Sequence, residues 1–276
     1  MRQSRLASLL TYTVLVCATL IALFPVFWTA TTSIKQPVDT FANPPKFVSF
    51  EPTFKNYRAL IDDPSFSDAI VNTIEITLAS TALALIAGAL AGYALARHRR
   101  FPGRRPLEAS LILVRAVPGV AIVVPLWSLA NRLHLYDSIP ALIVIYAAAN
   151  VPFAAWLMTS FVASVPIELE ESAAIDGAGR VATLARVVAP LVAPGFAATG
   201  IFVALLAWNE FLIPVILSGT NAKTLPVAIS AFVGSRTGDW GPLAAASSIA
   251  IVPIAILMVL IQRQLVGGLA AGAVKD

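Results

Sequence analysis

The sequence predicts an all-α membrane protein with six transmembrane helices, and three observations carry that prediction. Six stretches of more than 20 residues each hold at most one charge. Only 12% of the 276 residues are charged, against roughly 25% for a soluble domain. The mean hydropathy is +0.82, so lipid must cover much of the surface. A membrane β-barrel would show short alternating strands, and these runs do not alternate.

The first span, 7–33, sits in a charge-free run of 29 residues between Arg5 and Lys35. A signal-peptide core is only about 7–15 residues long, so this run reads as a retained span. The segment 33–68 carries Pro37, Pro44, Pro45, Pro52 and Pro64, which exclude long helices, although 54–61 can form two helical turns. Asp62 and Asp63 beside Pro64 lack a third ligand and read as a solvated turn. Span two, 69–96, has 21 uncharged residues between Glu75 and Arg97. As helix, that length reaches about 32 Å, enough for a hydrocarbon core of about 30 Å. Span three, 107–130, lies between Glu108 and Arg132 and is interrupted once, by Arg115. Span four, 139–163, falls in 30 uncharged residues between Asp137 and Glu168. A polar loop, 164–190, precedes span five, 191–217, and span six occupies 241–263. Pro118, Pro125, Pro190, Pro194 and Pro253 are expected to kink or end helices, as membrane bundles tolerate. One domain, 1–276, accounts for the chain, with no tandem repeat or separate soluble part.

Lysine and arginine counts set the orientation. With a cytoplasmic N-terminus, the inner segments hold 11 basic residues, among them Arg2, Arg5, Arg97, Arg99, Arg100, Arg104, Arg105, Arg263 and Lys275, and the outer segments 7. Both termini are therefore expected in the cytoplasm. The arginines of 97–105 read as topology signals contacting anionic lipid. Trp28, Trp127, Trp208 and Trp240 fall toward the outer ends of their spans, as in an interfacial aromatic belt, and Trp156 does not.

Several function classes are excluded. One cysteine, Cys17, permits no intrachain disulfide. Two distant histidines, His98 and His134, make no metal centre. No Gly-Lys pair exists, so no phosphate-cradling P-loop is present and any ATP must be hydrolysed by another chain. The net charge of +4 is spread between apolar spans and does not argue for nucleic acid. A membrane-embedded transferase would need acids or a nucleophile–base set at one membrane face; no catalytic set is assigned, and the chain reads as no enzyme.

The acid-rich inner segment is the loop before span five. Pro166 suits a helical first turn. Glu168, Glu170 and Glu171 follow and complement the helix dipole. Ser172, Ala173 and Ala174 allow close approach by another surface, and Gly177 can take a left-handed conformation and end the helix. A second amphipathic stretch with Leu184, Val187, Val188 and Leu191 leads into span five. The expected form is helix, sharp turn, helix, a short cytoplasmic knob between spans four and five. An amphipathic segment lying on lipid is the plainer alternative.

Polar residues within spans are candidates for a solute path: Asn209 and Glu210 near the outer end of span five, and Asn72 and Glu75 at the outer start of span two. Arg115 is the third site. A central arginine costs about 2.5–3.5 kcal/mol on insertion scales, so it either snorkels or faces a polar partner.

The loop resembles the EAA signature of ABC-transporter permeases. It has Glu171, Ser172, Ala173, Gly177, Val187, Ala189 and Pro190 at the family spacing, with Ser172, Val187 and Ala189 as conservative departures. Ile175-Asp176-Gly177-Ala178, Tyr93-Ala94-Leu95-Ala96-Arg97, Phe101-Pro102-Gly103-Arg104, Ala207-Trp208-Asn209-Glu210-Phe211 and Thr224-Leu225-Pro226-Val227 look like the carbohydrate-uptake, maltose-permease-like branch. The resemblance implies a permease subunit of the inner membrane, moving a sugar or related polar solute by alternating access. It implies that Glu171, Ser172, Ala173, Ile175, Asp176, Gly177, Ala178 and Pro190 couple to a separate ATPase. It further implies a second permease chain, a cytoplasmic ATPase dimer that binds ATP and Mg, and an extracytoplasmic solute-binding protein. An importer for a non-sugar solute is the nearest rival.

Overall fold

A computed structural model describes residues 5–98, 101–233 and 240–272, with side chains within 8–260. Arg2, Arg99, Arg100, Arg236 and Lys275 of the charge count lie outside the described residues, as does Asp239. The described chain is helical with no strand. In order it forms α1 (Arg5–Ser33), α2 (Pro37–Thr40), α3 (Lys55–Ile61), α4 (Pro64–Arg97), α5 (Arg104–Leu113), α6 (Gly119–Arg132) and α7 (Ile139–Ala163). Then come α8 (Glu168–Ile175), α9 (Arg180–Thr183), α10 (Ala189–Trp208), α11 (Leu212–Leu217), α12 (Leu225–Val233) and α13 (Trp240–Gly272). Five runs are long and apolar enough to cross a membrane: Ser8–Ser33, Pro64–Arg97, Ile139–Ala163, Arg180–Trp208 and Trp240–Leu260.

A sixth apolar run is a bent helix pair. α5 runs into a 3-10 turn, Val114–Ala116, and α6 then departs at 88°. Pro118 causes the break. Its ring disfavours the helical region for the residue before it, and Val117 is extended with ψ 124°. Pro25, Pro125, Pro152, Pro194 and Pro253 stay inside helices, while Pro190 occupies the first turn of α10.

The chain divides into two compact units. One comprises residues 1–67 and 228–253. In it the end of α1 is tied to α3. Asn56 donates from Nδ2 to the carbonyl of Ser33 at 2.9 Å, and the Ser33 and Tyr57 hydroxyls share a hydrogen bond of 2.8 Å. Lys35, 1% exposed, places Nζ 4.2 Å from the Trp28 ring centroid and 5.2 Å from that of Phe50. Burial pushes its ammonium below the usual lysine range, against the pull of Asp39. α3 realises the two turns expected near residues 54–61, and Asp63 accepts from the Ser65 amide at the start of α4.

The other unit comprises 68–227 and 254–276. α7 is its centre, packed on α10, α5 and α4. Three apolar layers stack along α4, α7 and α10. Ile76, Leu142, Tyr146 and Ala207 form the first, and Ala84, Ala154 and Val203 the second. Ala96, Met158, Val162, Val188 and Val192 form the third. Numbers rise through the layers on α4 and α7 and fall on α10, so α10 runs opposite to the other two. The α4–α7 crossing is close because α4 presents Ala84, Gly88, Gly92 and Ala96 at every fourth position, a small-residue seam. A Cβ on Gly92 would stand 2.7 Å from Met158 Cβ and 2.8 Å from the Thr159 amide nitrogen.

Candidate functional site

The knob expected between spans four and five is present at the end of the bundle where α4 and α7 finish and α10 begins. α8 starts at Glu168, two residues later than a first-turn proline requires; the Pro166 carbonyl instead accepts from the Leu169 amide. Glu168, Glu170 and Glu171 occupy the first turn. The helix ends as a Schellman turn. Gly177 takes φ +85°, its amide donates to Ala174 O at 3.1 Å, and the Ala178 amide donates to Ala173 O at 2.9 Å. Glu171, Ser172, Asp176 and Gly177 are exposed, Ala173 and Ala178 half-buried, and Ile175 is 87% exposed at the tip.

Beyond the turn the chain re-enters the membrane without interruption. α9, a five-residue π turn (Leu184–Val188) and α10 make one run of 29 residues, Arg180–Trp208. Pro190 is exposed just past the π turn, and Val188 and Val192 sit in the third core layer. The knob is thus the head of a rod whose shaft is a transmembrane helix.

A second attachment was not foreseen. Arg97, read as a lipid-facing topology charge, is paired inside the protein. Its Nε donates to Glu170 Oε1 at 2.6 Å and its Nη2 to the Val165 carbonyl at 3.1 Å. Tyr93 donates from its hydroxyl to Glu170 Oε2 at 2.7 Å. The Arg97 and Glu170 side chains are 9% and 11% exposed. Arg104 also pairs within the chain, with Glu108 one turn on.

Arg115 lies in the 3-10 turn at the break. It donates from Nη2 to Asn150 Oδ1 at 3.1 Å, and its guanidinium lies 4.7 Å from the Phe153 ring centroid. Asn150 stands 11 residues from the start of α7 and 13 from its end, about 17 and 20 Å along the axis. The guanidinium is therefore held at mid-span, away from both headgroup layers. Trp156 stacks on Phe153 with centroids 6.3 Å apart.

The other path candidates are dispersed. Asn72 is buried, and its Nδ2 donates to the carbonyls of Asn221 at 2.7 Å and Lys223 at 3.0 Å. Glu75 is exposed on the same face of α4 as Val71, Ile74 and Leu78. Asn209 ends α10, with Nδ2 donating to Leu205 O, and Glu210 Oε1 accepts from the Ile213 amide to cap α11. Trp208 is 6% exposed, so it belongs to the core and not to an interfacial belt.

In the sequence, Asp137 marks only the boundary of a span. It adopts φ +56°, and its carboxylate accepts from the amides of Gly219, Thr220, Asn221 and Ala222 at 2.7–3.1 Å. Burial pushes this carboxyl up, but the four amide donors outweigh it and hold it below the usual carboxylate range. With Asn72 gripping two carbonyls of the same segment, the loop 218–224 is fixed from both sides.

The second unit is a helical bundle with a bent apolar helix pair, a polar pair on α7 and an exposed turn ahead of a long apolar helix. Residues 84–270 match the family of binding-protein-dependent transport system inner membrane components, and the chain belongs to that family. It is thus a multi-pass inner-membrane transport component and not an enzyme. It is 37% identical over 257 residues to the trehalose transport system permease protein SugB of Mycobacterium tuberculosis, covering 92% of this chain and 93% of that one. It is 36% identical over 254 residues to the sulfoquinovosyl glycerol transport system permease protein SmoH of Agrobacterium fabrum, covering 92% and 89%. It is 32% identical over 280 residues to the trehalose/maltose transport system permease protein MalG of Thermococcus litoralis, covering 100% and 99%. Its fold matches a chain of a bacterial ABC transporter that imports the acidic polysaccharide alginate, with TM-score 0.78 and 22% identity over 95% of this chain and 99% of that one.

Proposed function

We propose that this chain is one of two permease subunits in an ATP-driven importer of a sugar or related polar solute. An extracytoplasmic binding protein delivers the solute, and a separate cytoplasmic ATPase dimer binds ATP and Mg. The observation that carries this reading is the knob: a Schellman bend with an exposed Ile175, followed at Arg180 by a helical run that continues through the π turn into α10. Glu171, Ser172, Ala173, Ile175, Asp176, Gly177 and Ala178 form its contact surface toward the ATPase, and Pro190 marks where the rod resumes α-helical geometry.

The knob faces the cytoplasm, as the basic residues of the inner segments require. Closure of the ATPase dimer moves it along with its groove. The shaft follows because Arg180–Trp208 is helical throughout, across its π turn and Pro194. α10 then shifts against the partner permease and the path opens outward; hydrolysis returns it inward. Arg115, Asn209, Glu210 and Glu75 supply polar groups to this path, with the Asn72 amide committed to the loop 218–224. Broken helices with polar groups near the midplane are recurrent features of solute sites in transporters, which supports Arg115 and the break at Pro118 as part of one.

The names of the relatives favour a carbohydrate, trehalose and sulfoquinovosyl glycerol being among the solutes they name. Purification of the chain from its native membrane should co-isolate an ATPase and a second permease, and the reconstituted complex should take up solute only with ATP and the binding protein. Solute carried by the chain alone, without ATP, would overturn the reading.

A further inference from the structure

We infer that Tyr93, Arg97 and Glu170 are positioning residues that form a clasp through which the knob moves α4 as well as α10, an inference that rests on the importer reading above. Three acids occupy the first turn of α8, and the helix dipole accounts for all three equally. They are not equivalent in the fold. Glu168 and Glu171 are exposed, whereas Glu170 turns inward and spends each oxygen on a separate α4 side chain. Tyr93 and Arg97 are one turn apart, so a single face of α4 presents both donors.

The guanidinium completes the link. While Nε holds Glu170, Nη2 holds the Val165 carbonyl, in the short connection between α7 and α8. One rigid plane therefore ties both that connection and the first turn of α8 to α4. The partners are 68 and 73 residues from Arg97 in sequence, so no covalent path near the knob does this work. An ion pair this buried resists separation strongly, because pulling it apart leaves a desolvated charge without its partner. Displacement of α8 thus draws on the inner end of α4 rather than being absorbed by the 164–167 linker. Two helices then leave the knob, α10 through the rod and α4 through the clasp.

The clasp is tested in the reconstituted complex by counting solute moved per ATP hydrolysed. Glu170→Gln preserves shape and removes the charge; it should lower that ratio by about tenfold while the ATPase still co-purifies and turns over. Tyr93→Phe removes one hydroxyl from the clasp and should lower the ratio about two- to threefold with little change in melting temperature. Exchanging the pair, Arg97→Glu with Glu170→Arg, should recover part of the loss. Assembled Glu170→Gln and Tyr93→Phe complexes with an unchanged ratio would overturn the clasp while leaving the importer reading intact. Failure of both variants to assemble, with no recovery in the exchange, would also overturn it, because the cluster would then serve folding alone. A wild-type complex that moves solute without ATP would sink the importer reading and the clasp together.

Discussion

Gly177 separates two explanations of the knob's shape. Its φ of +85° lies in the left-handed region, and a Cβ built there meets nothing within 4 Å. A side chain at 177 is therefore opposed within this chain by backbone strain and not by crowding. For an L-residue that strain is about 1–2 kcal/mol, which converts to a roughly 5- to 30-fold shift against the folded turn. Asparagine tolerates the left-handed region better than alanine because its amide bonds locally, and a β-branched residue tolerates it worst. If the turn's conformation matters, ATP-driven uptake should rank Gly177 wild type, then Gly177→Asn, then Gly177→Ala, then Gly177→Val. If instead the residue must be small to fit a partner groove, the order follows volume and Gly177→Ala outperforms Gly177→Asn. Uptake by assembled complexes, normalised to the amount of co-purified ATPase, measures the ranking. Alanine above asparagine would refute the backbone argument.

The Asp137 carboxyl is held below its usual range, so its stabilisation is complete above the unfolded value of about 3.9 and fades as pH falls through the folded one. Melting of the purified complex should therefore drop with acid below about pH 4, and Asp137→Asn should start lower and respond less to pH. Gly92→Leu forces α4 away from Met158 and the α7 backbone; a loss of about 1–3 kcal/mol is expected, read as a lower melting temperature and faster proteolysis. Asn150→Leu leaves the Arg115 guanidinium without its hydrogen-bond partner inside an apolar span and should destabilise more than Arg115→Leu with Asn150→Leu together, since an unpaired cation there is costlier than none. Thermal unfolding of the three variants gives the comparison.

The spans were legible because lipid imposes a one-dimensional rule: about 20 apolar residues must run without charge. That rule found α1, α4, α7, α10 and α13, while Pro118 is only one of five prolines expected to kink or end a helix, of which Pro125, Pro194 and Pro253 stay inside theirs. It does not set an angle, so the 88° departure of α6 was invisible. The bend at Gly177 was legible for a different reason, since a Schellman turn is local and its glycine is written in the loop. What escaped were pairings across long sequence separations. Arg97 is one arginine among several in a basic segment, and nothing near it names Glu170, 73 residues on. Asp137 and Asn72 likewise find their partners 82–85 and 149–151 residues away. Charge counting treats each such residue as a topology marker or a path candidate, because it carries no information on which charges fold inward.

Those long-range pairings sit where the short-range elements end. α8 by itself is an eight-residue helix, too short to be stable alone, and its bend fixes direction without fixing position. The rod through α10 gives it an axis. Arg97 gives it a lateral anchor, and this anchor lies on a helix antiparallel to α10. A displacement applied at Ile175 therefore reaches two oppositely directed spans from one end, while Gly88 and Gly92 keep α4 tight against α7 along the same length. A force coupled through the rod alone would be free to slide α10 past α7. Under the proposed coupling, a force carried through both would turn the α4–α7–α10 layers together instead of sliding one helix past another.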